Sequence, residues 1–523
     1  MASDSNASTG ARLDSRSGAI RQSSWKPTLG AVWLLVPALL TLLYVSTLVQ
    51  YPLDFWNHLC VGRLIWQDGA IPRSNPLTYT LPGQAVVYQN WLVELAVYGL
   101  YRLGGYALSQ FAIAACYAAA IGVATWHAWL RGRNPRVAAG LAMVTIALAV
   151  SNFGVRPQAL SVLLFAVELL VLWQWPARWR TVAVVGLVEL VWTNVHGAFP
   201  LGIVLPGVFL AASLATQCRQ RGLRSLLSSL EVQVYAAAVL AAVLLAFANP
   251  TPGKTLDYVL GVASRASQRQ IGEWQSTATL GYTAVAFFAS LPLAAVMAWV
   301  RRQRLQAVEW LLLVTFAGLG ITAQRMVVWW ALVLPPLLAP HLAAWVQDWR
   351  QRRGLAPAQP EERSTLNLVM LCVLVAMALM STPWTRFYNP LLPASKRLAH
   401  SNDEPRQVVA ILAERQFQGR VFQPLEWGSY LAWHLAPHVQ VFIDAWVDFY
   451  PDEVWSDYQR IGNAQPGWEE SLLRYDVQMV AWNQRLKTDL PQALASSPRW
   501  QKLHEDDLCV IFVRREGHPQ GNR

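Results

Sequence analysis

The chain has 523 residues, 54% of them hydrophobic and only 14% charged, with a net charge of +11. Soluble globular domains carry about 25% charged residues, so an ordinary soluble enzyme, a disordered chain and a disulfide-stapled mini-protein are excluded. The composition is that of a membrane protein diluted by something polar, because mean hydropathy is only +0.27.

Residues 1–28 are rich in Ser, Ala and Arg and predict a disordered tail. A spanning helix needs about 20 mostly apolar residues. Candidates lie at 29–49, 107–130, 137–153, 158–175, 181–193, 198–216, 231–248, 281–300, 307–322, 327–346 and 365–382, which makes eleven. The first is too long for the apolar core of a signal peptide and reads as an uncleaved helix. A weaker twelfth, 88–103, contains Glu94 and Arg102.

Residues 1–384 hold 27 basic and 14 acidic side chains; residues 385–523 hold 15 and 17. The net positive charge therefore belongs to the apolar part. One set of connections (the tail and the loops near Arg131, Arg178, Arg219, Arg301 and Arg350) carries 19 basic residues. The alternate set carries seven: Arg63, Arg73, Arg156, Lys254, Arg265, Arg269 and Arg325. Basic loops face the cytoplasm. Eleven crossings then place the N-terminus in the cytoplasm and residues 385–523 outside it, with 88–103 not crossing alone. The chain's basic character reflects membrane orientation, and no basic-aromatic groove points to nucleic acid.

Residues 385–523 change period. Short apolar runs at Arg420–Pro424, Val439–Ala445, Val477–Asn483 and Cys509–Arg514 alternate with helical stretches, predicting a small, mainly parallel α/β sheet. The expected organisation is a cytoplasmic tail at 1–28, a polytopic all-α membrane domain at 29–384 with its first external loop at 50–90, and a soluble α/β domain at 385–523. No GxGxxG follows a strand, which gives no support to a dinucleotide fold. Five isolated cysteines without CxxC spacing give neither a disulfide framework nor a metal-ligand set.

The first external loop carries the most chemistry: Leu53-Asp54-Phe55-Trp56-Asn57-His58-Leu59-Cys60-Val61-Gly62-Arg63. Asp54 follows the first helix directly and sits at the membrane surface. In a helix, His58 shares its face. A carboxylate can take a proton from an acceptor hydroxyl, and an arginine can grip a phosphate through paired hydrogen bonds. The alternative is that Asp54 merely caps an interfacial helix.

This layout resembles the GT-C superfamily of polytopic glycosyltransferases, above all the branch of protein O-mannosyltransferases and aminoarabinose transferases. The resemblance covers residues 29–216 and rests on Asp54 just after helix one. It also rests on the Gly69–Pro82 stretch with its Ile71-Pro72 and Asn75-Pro76 pairs, and on Gln89-Asn90-Trp91-Leu92. It implies an inverting transferase that takes a sugar from a polyprenyl-phosphate carrier, with Asp54 as base. The acceptor would be an extracytoplasmic glycan, lipid or protein, and the location a cell membrane. Two features depart from the pattern. Phe55 stands where a paired acid is common, and Ser151-Asn152-Phe153-Gly154-Val155-Arg156-Pro157 has Arg156 and no acid. A divalent metal is compatible with the resemblance, but no ligand cluster demands one.

Other external connections add polar groups. Asn194 and His196 end a helix that carries Glu189, either as sugar or phosphate contacts or as caps. Arg265 and Arg269 lie in the long 249–280 connection, where they can hold a lipid phosphate or reach for headgroups. Arg325, in a short turn, needs an anionic partner, lipid phosphate or protein carboxylate. The expected donor site thus joins His58, Arg63, Arg156, Asn194, His196, Arg265, Arg269 and Arg325. The expected acceptor side joins Glu273, Asp444 and Asp448, the last two near a strand end where α/β sheets bind ligands or where a turn needs a cap. A transporter or non-catalytic envelope protein is the competing class. A transporter should show repeated halves and polar residues at the midplane, whereas the polar residues here cluster at helix ends on one side.

Overall fold

The computed structural model describes residues 26–49, 51, 53–269, 271–278, 281–300, 304–355 and 363–515. Tail residues 1–25, with Arg12, Arg16 and Arg21, lie outside this set, as do Arg301 and Arg302. The helices of the N-terminal part are α1 (Leu29–Ser46), α2 (Asp54–Asp68), α3 (Trp91–Gly132), α4 (Pro135–Ala149), α5 (Gln158–Gln174), α6 (Arg180–Val195) and α7 (Leu201–Arg221). They continue with α8 (Leu230–Leu245), α9 (Pro252–Gln268), α10 (Tyr282–Val300), α11 (Ala307–Thr322), α12 (Val327–Arg352) and α13 (Thr365–Met380).

Six described helical stretches are long and apolar enough to cross a membrane: Leu29–Ser46, Trp91–Gly132, Pro135–Asn152, Leu201–Arg221, Tyr282–Val300 and Gln324–Arg352. Four more (α5, α8, α11 and α13) are apolar but shorter, and α6 falls in neither group. These six meet the length and composition of a full crossing among the described residues; the expected eleven also counted the shorter helices α5, α6, α8, α11 and α13. The physical difference is reach: a 16-residue helix such as α8 spans about 24 Å, short of a hydrocarbon core of about 30 Å.

The weak segment 88–103 becomes the first part of α3. Gly104 (φ −151°) and Gly105 (φ +63°) break the helical path after it. The combination of φ +63° and ψ −160° at Gly105 is open essentially to glycine alone, so this pair separates a short arm from the long span that follows.

α12 is the hub of the bundle. Its side chains from Val327 to Ala339 are buried on every face, as expected for a helix that is apolar all round. Pro340 cannot donate the N–H that would bond the carbonyl of Pro336. Arg131 supplies the missing donor from α3, its Nε 3.1 Å from Pro336 O. The same guanidinium meets Glu309 of α11 at 2.5 Å, which pairs a buried charge and leaves few backbone groups unsatisfied.

Residues beyond 385 form a five-stranded sheet with helices α14 (Ala394–Arg397), α15 (Arg406–Glu414), α16 (Leu425–Leu435), α17 (Asp452–Gly462), α18 (Trp468–Arg474) and α19 (Leu490–Ser496). The strands are β1 (Gly419–Phe422), β2 (Val439–Val441), β3 (Met479–Asn483), β4 (Trp500–Glu505) and β5 (Cys509–Arg514), in the order β2-β1-β3-β5-β4. β2, β1 and β3 are parallel, but β5 runs antiparallel to both β3 and β4. The expected mainly parallel sheet is thus a mixed one. β4 and β5 are joined by a tight turn, and strands so joined can only run antiparallel. β4 is an exposed, polar edge strand, so it lacked the apolar run that marks its neighbours.

The outer edge of β2 is covered by the first loop. Val441 N donates to Leu77 O at 3.3 Å, and Tyr79 N donates to Val441 O at 3.4 Å. Thr80 Oγ1 adds a bond to Phe442 O at 2.6 Å. Covering the edge satisfies a row of backbone groups. It also fixes the loop and the C-terminal sheet as one unit above the bundle.

Candidate active site

α2 starts at Asp54 after Leu53, which makes no side-chain cap. Asp54 does not cap the helix either. Its Oδ2 lies 2.8 Å from Nε of Arg156, while its charge sits at the positive end of the helix dipole. One turn on, His58 Nδ1 is 3.1 Å from Oε1 of the fully buried Glu94. Asp54 and His58 face the same cavity, as the i, i+4 spacing predicts.

The cavity measures about 510 Å³. It lies between the start of α2, the Gln89–Asn90 turn, the connections at 156–158 and 196–198, α9, the 271–274 segment, and the 445–448 loop of the C-terminal domain. Val259, Val262 and Ala266 of α9, with Met326 and Trp329, give it an apolar wall.

Four charged groups from four separate connections form a chain across it. Arg156 reaches Asp54 with Nε and Oε2 of Glu273 with Nη1, the latter at 2.7 Å. Glu273 Oε1 then meets Nη1 of Arg325 at 3.2 Å. Arg325 also lies over the ring of Trp274, 4.2 Å from its centroid. The signs alternate and sum to zero. Asp54 beside it holds the Arg156 guanidinium charged more firmly than usual, outweighing burial. Burial works to raise the Glu273 carboxyl, but Arg325 and Arg156 overcome it and leave it below the usual range. Arg325, expected to need an anionic partner, meets a protein carboxylate.

His196 lines the cavity and is buried, which pushes its imidazole down to about 3. Its Nδ1 is 2.9 Å from Ser161 Oγ and accepts from Ala198 N at 3.3 Å. This network assigns the neutral ring with its proton on Nε2. Asp448 lines the cavity beside Tyr258, with burial raising its carboxyl.

The other expected residues stand elsewhere. Arg63 is turned away, stacked 4.4 Å over Trp433 and donating to the carbonyls of Trp433 (2.9 Å) and Ala432 (3.4 Å). The reason is helical phase: nine residues after Asp54, at about 100° each, land on the opposite face. Asn194 bonds Trp91 Nε1 and the carbonyls of Leu190 and Ala248. Arg265 folds back to Tyr258 O at 3.2 Å. Arg269 bonds the carbonyls of Val447 and Tyr450 and the carboxylate of Asp452, tying α9 to the C-terminal domain. Asp444 is fully buried and accepts from Asn75 Nδ2 (2.8 Å), Trp446 N (3.0 Å) and Tyr450 Oη (2.9 Å). It fixes the loop that presents Trp446 and Asp448.

Sequence reasoning missed Asn57, Gln89, Asn90 and Trp446 as cavity residues. Asn57 Oδ1, Gln89 Nε2, Asn90 Oδ1, Trp446 Nε1 and Asp448 Oδ2 are buried without a hydrogen-bond partner among the described residues. Such atoms are rare in folded proteins and mark a place for water or ligand. Asn57 was within reach of the phase argument, being three residues from Asp54. Trp446 was not, since only tertiary contact brings it there.

No family model matches the chain, and no curated protein matches it. Solved structures do. The oligosaccharyltransferase of Archaeoglobus fulgidus superposes with a TM-score of 0.55 at 13% identity, over 90% of this chain and 72% of its own. The same oligosaccharyltransferase in a complex with Zn and sulfate gives 0.52 at 14% identity, over 88% of this chain and 69% of its own. ArnT from Cupriavidus metallidurans gives 0.50 at 16% identity, over 94% and 99%. Arabinofuranosyltransferase AftD from Mycobacteria gives 0.54 at 15% identity, over 94% of this chain but 40% of its own. These neighbours are GT-C glycosyltransferases, and the likeness is one of fold.

Proposed function

We propose that the protein is a membrane-embedded glycosyltransferase that moves a sugar from a polyprenyl-phosphate carrier to an acceptor hydroxyl, with inversion. The observation that carries this reading is the cavity itself. It combines an apolar wall against the bundle, a carboxylate at a helix start, two guanidinium groups and five unpartnered buried polar atoms. The apolar wall suits a lipid chain, the guanidiniums suit a phosphate, and the polar atoms suit sugar hydroxyls.

In this mechanism the acceptor hydroxyl gives its proton to Asp54. A carboxylate has two acceptor oxygens, so one can hold Arg156 while the other takes the proton. The acceptor oxygen attacks the anomeric carbon from the face opposite the phosphate. The bond from that carbon to the phosphate oxygen breaks, and the lipid phosphate leaves with the electron pair. Arg156 and Arg325 offset the charge that develops on it. His58, steered by Glu94, and His196 border the sugar. Asp448 and Glu273 border the acceptor path. Arg63, Asn194, Arg265, Arg269 and Asp444 act at one remove, by holding the elements that form the walls. The cavity end of the bundle and residues 385–523 face outward in this reading, with the tail at 1–28 in the cytoplasm.

The test uses liposomes loaded with a panel of polyprenyl-phosphate sugars. Wild-type protein turns over at least one donor, and Asp54→Asn loses activity by a factor of about 10²–10⁴, the usual worth of a general base. Equal turnover by both proteins removes Asp54 from the mechanism.

A further inference from the structure

GT-C neighbours raise the question of a metal, since the archaeal oligosaccharyltransferase forms a complex with Zn and sulfate. Three carboxylates line this pocket, Asp54, Glu273 and Asp448, and none of them belongs to a cluster of three ligand groups among the described residues. Asp54 and Glu273 share a partner. Both are on the same guanidinium: Arg156 Nε meets Asp54 Oδ2 at 2.8 Å, and Nη1 meets Glu273 Oε2 at 2.7 Å. A dication shared by those oxygens would have to displace the guanidinium with which each already pairs. It would also face the positive charge of Arg325 across Glu273. The nearby histidines have Nδ1 engaged, His58 by Glu94 and His196 by Ser161 and Ala198, and their remaining Nε2 atoms join no cluster of three ligand groups among the described residues. Among the described residues, three groups with ligand atoms close enough to share an ion occur together at His504, Asp506 and Cys509. Those lie on the β4–β5 hairpin, away from the cavity.

We infer that this pocket carries its own cation: Arg156 already pairs with both Asp54 and Glu273, so the site takes no metal. Besides facing the leaving phosphate, Arg156 then also orders the base. It fixes the carboxylate of Asp54 and cancels the repulsion between Asp54 and Glu273. The sequence already held the clue, because the second external connection offers Arg156 and no acid. The inference leans on the proposed function only in treating Asp54 as the base. Whether the pocket binds a metal is independent of that.

The experiment follows Mn²⁺ binding by electron paramagnetic resonance on the full-length protein in nanodiscs, without donor. All variants carry Cys509→Ser to remove the hairpin cluster. Wild type and Arg156→Lys bind Mn²⁺ no better than Asp54→Asn does. Arg156→Gln frees the two carboxylates and binds Mn²⁺ about tenfold tighter or more, the effect of removing one neighbouring unit charge. Asp54→Asn added to Arg156→Gln abolishes that gain. Mn²⁺ binding by wild type that Asp54→Asn removes overturns the inference, and this comparison stands even where Arg156→Gln does not fold. So does a folded Arg156→Gln that binds no better than wild type. Lack of turnover in the donor panel would instead count against the proposed function, leaving the metal result unaffected.

Discussion

Exchanging the amide of Asn75 with the carboxylate of Asp444 probes the joint between the first loop and the C-terminal sheet. Asn75 Oδ1 accepts from Leu77 N at 3.0 Å, and its Nδ2 donates to Asp444 Oδ2 at 2.8 Å. Asp444→Asn alone leaves Oδ1 for Trp446 N and Tyr450 Oη but sets one amide N–H₂ against another. One charge-assisted bond is lost and its donors stay buried, a loss of about 2–3 kcal/mol. Asn75→Asp alone sets two buried carboxyl groups face to face. Burial already raises the Asp444 carboxyl, so one of them must take a proton or part, at about 3 kcal/mol or more. The double variant restores every donor to an acceptor, with the roles reversed. A coupling free energy of about 4 kcal/mol is expected, the two single losses less the roughly 1 kcal/mol left in the double variant, above the usual range for residues in contact. Amide hydrogen exchange at Val441 and Tyr79 reads it directly, because those N–H groups make the cross-loop bonds. Asp444→Asn speeds their exchange by roughly 30- to 150-fold and Asn75→Asp by roughly 150-fold or more, at 1.4 kcal/mol per tenfold. The double variant returns to within about fivefold of wild type. Additive losses in the double variant would refute the geometry of this joint.

Acidification should destabilise the protein through His196. Its pKa falls from the usual 6.5 to about 3 on folding, so below pH 6.5 the unfolded chain binds a proton the folded one refuses. Stability contributed by this residue is complete above 6.5 and is lost toward 3, at about 1.4 kcal/mol per pH unit. His196→Gln should flatten the fall in thermal-inactivation temperature between pH 6.5 and 5 relative to wild type. Arg63→Ala should lower thermal stability by about 1–2 kcal/mol, through lost stacking on Trp433 and two charged hydrogen bonds. It should leave the apparent KM for a lipid-linked donor unchanged, whereas Arg325→Ala should raise it about tenfold or more. Gln89→Leu and Asn57→Leu should weaken donor binding, measured by equilibrium titration, by about tenfold each if these amides pair with sugar hydroxyls. Unchanged affinity would assign them to ordered water.

Some of this was legible in the chain. Asp54 and His58 share a face because four residues make about one helical turn, and no tertiary information is needed to see it. The same rule could have excluded Arg63, whose nine-residue offset turns it to the far side. β1, β2, β3 and β5 announced themselves as short apolar runs. β4 did not, because an exposed edge strand carries polar side chains. The crossing count turns on length, since α8, α11 and α13, at 16 residues each, are apolar yet short.

Local pattern, which depends only on neighbours a turn or a pleat away, determined that the chain is polytopic, that a polar loop follows its first helix, and that a sheet domain closes it. Tertiary structure alone decided which charges meet. Arg156 and Glu273 are 117 residues apart, and Asn75 and Asp444 are 369 apart. Charge has no periodicity to read: an arginine pairs with whichever carboxylate folding brings within about 4 Å, and burial removes the water that would otherwise satisfy both. The scarcity of charge evident in the composition made each of these pairings consequential, and packing of the loops onto α12, α9 and the C-terminal sheet chose them.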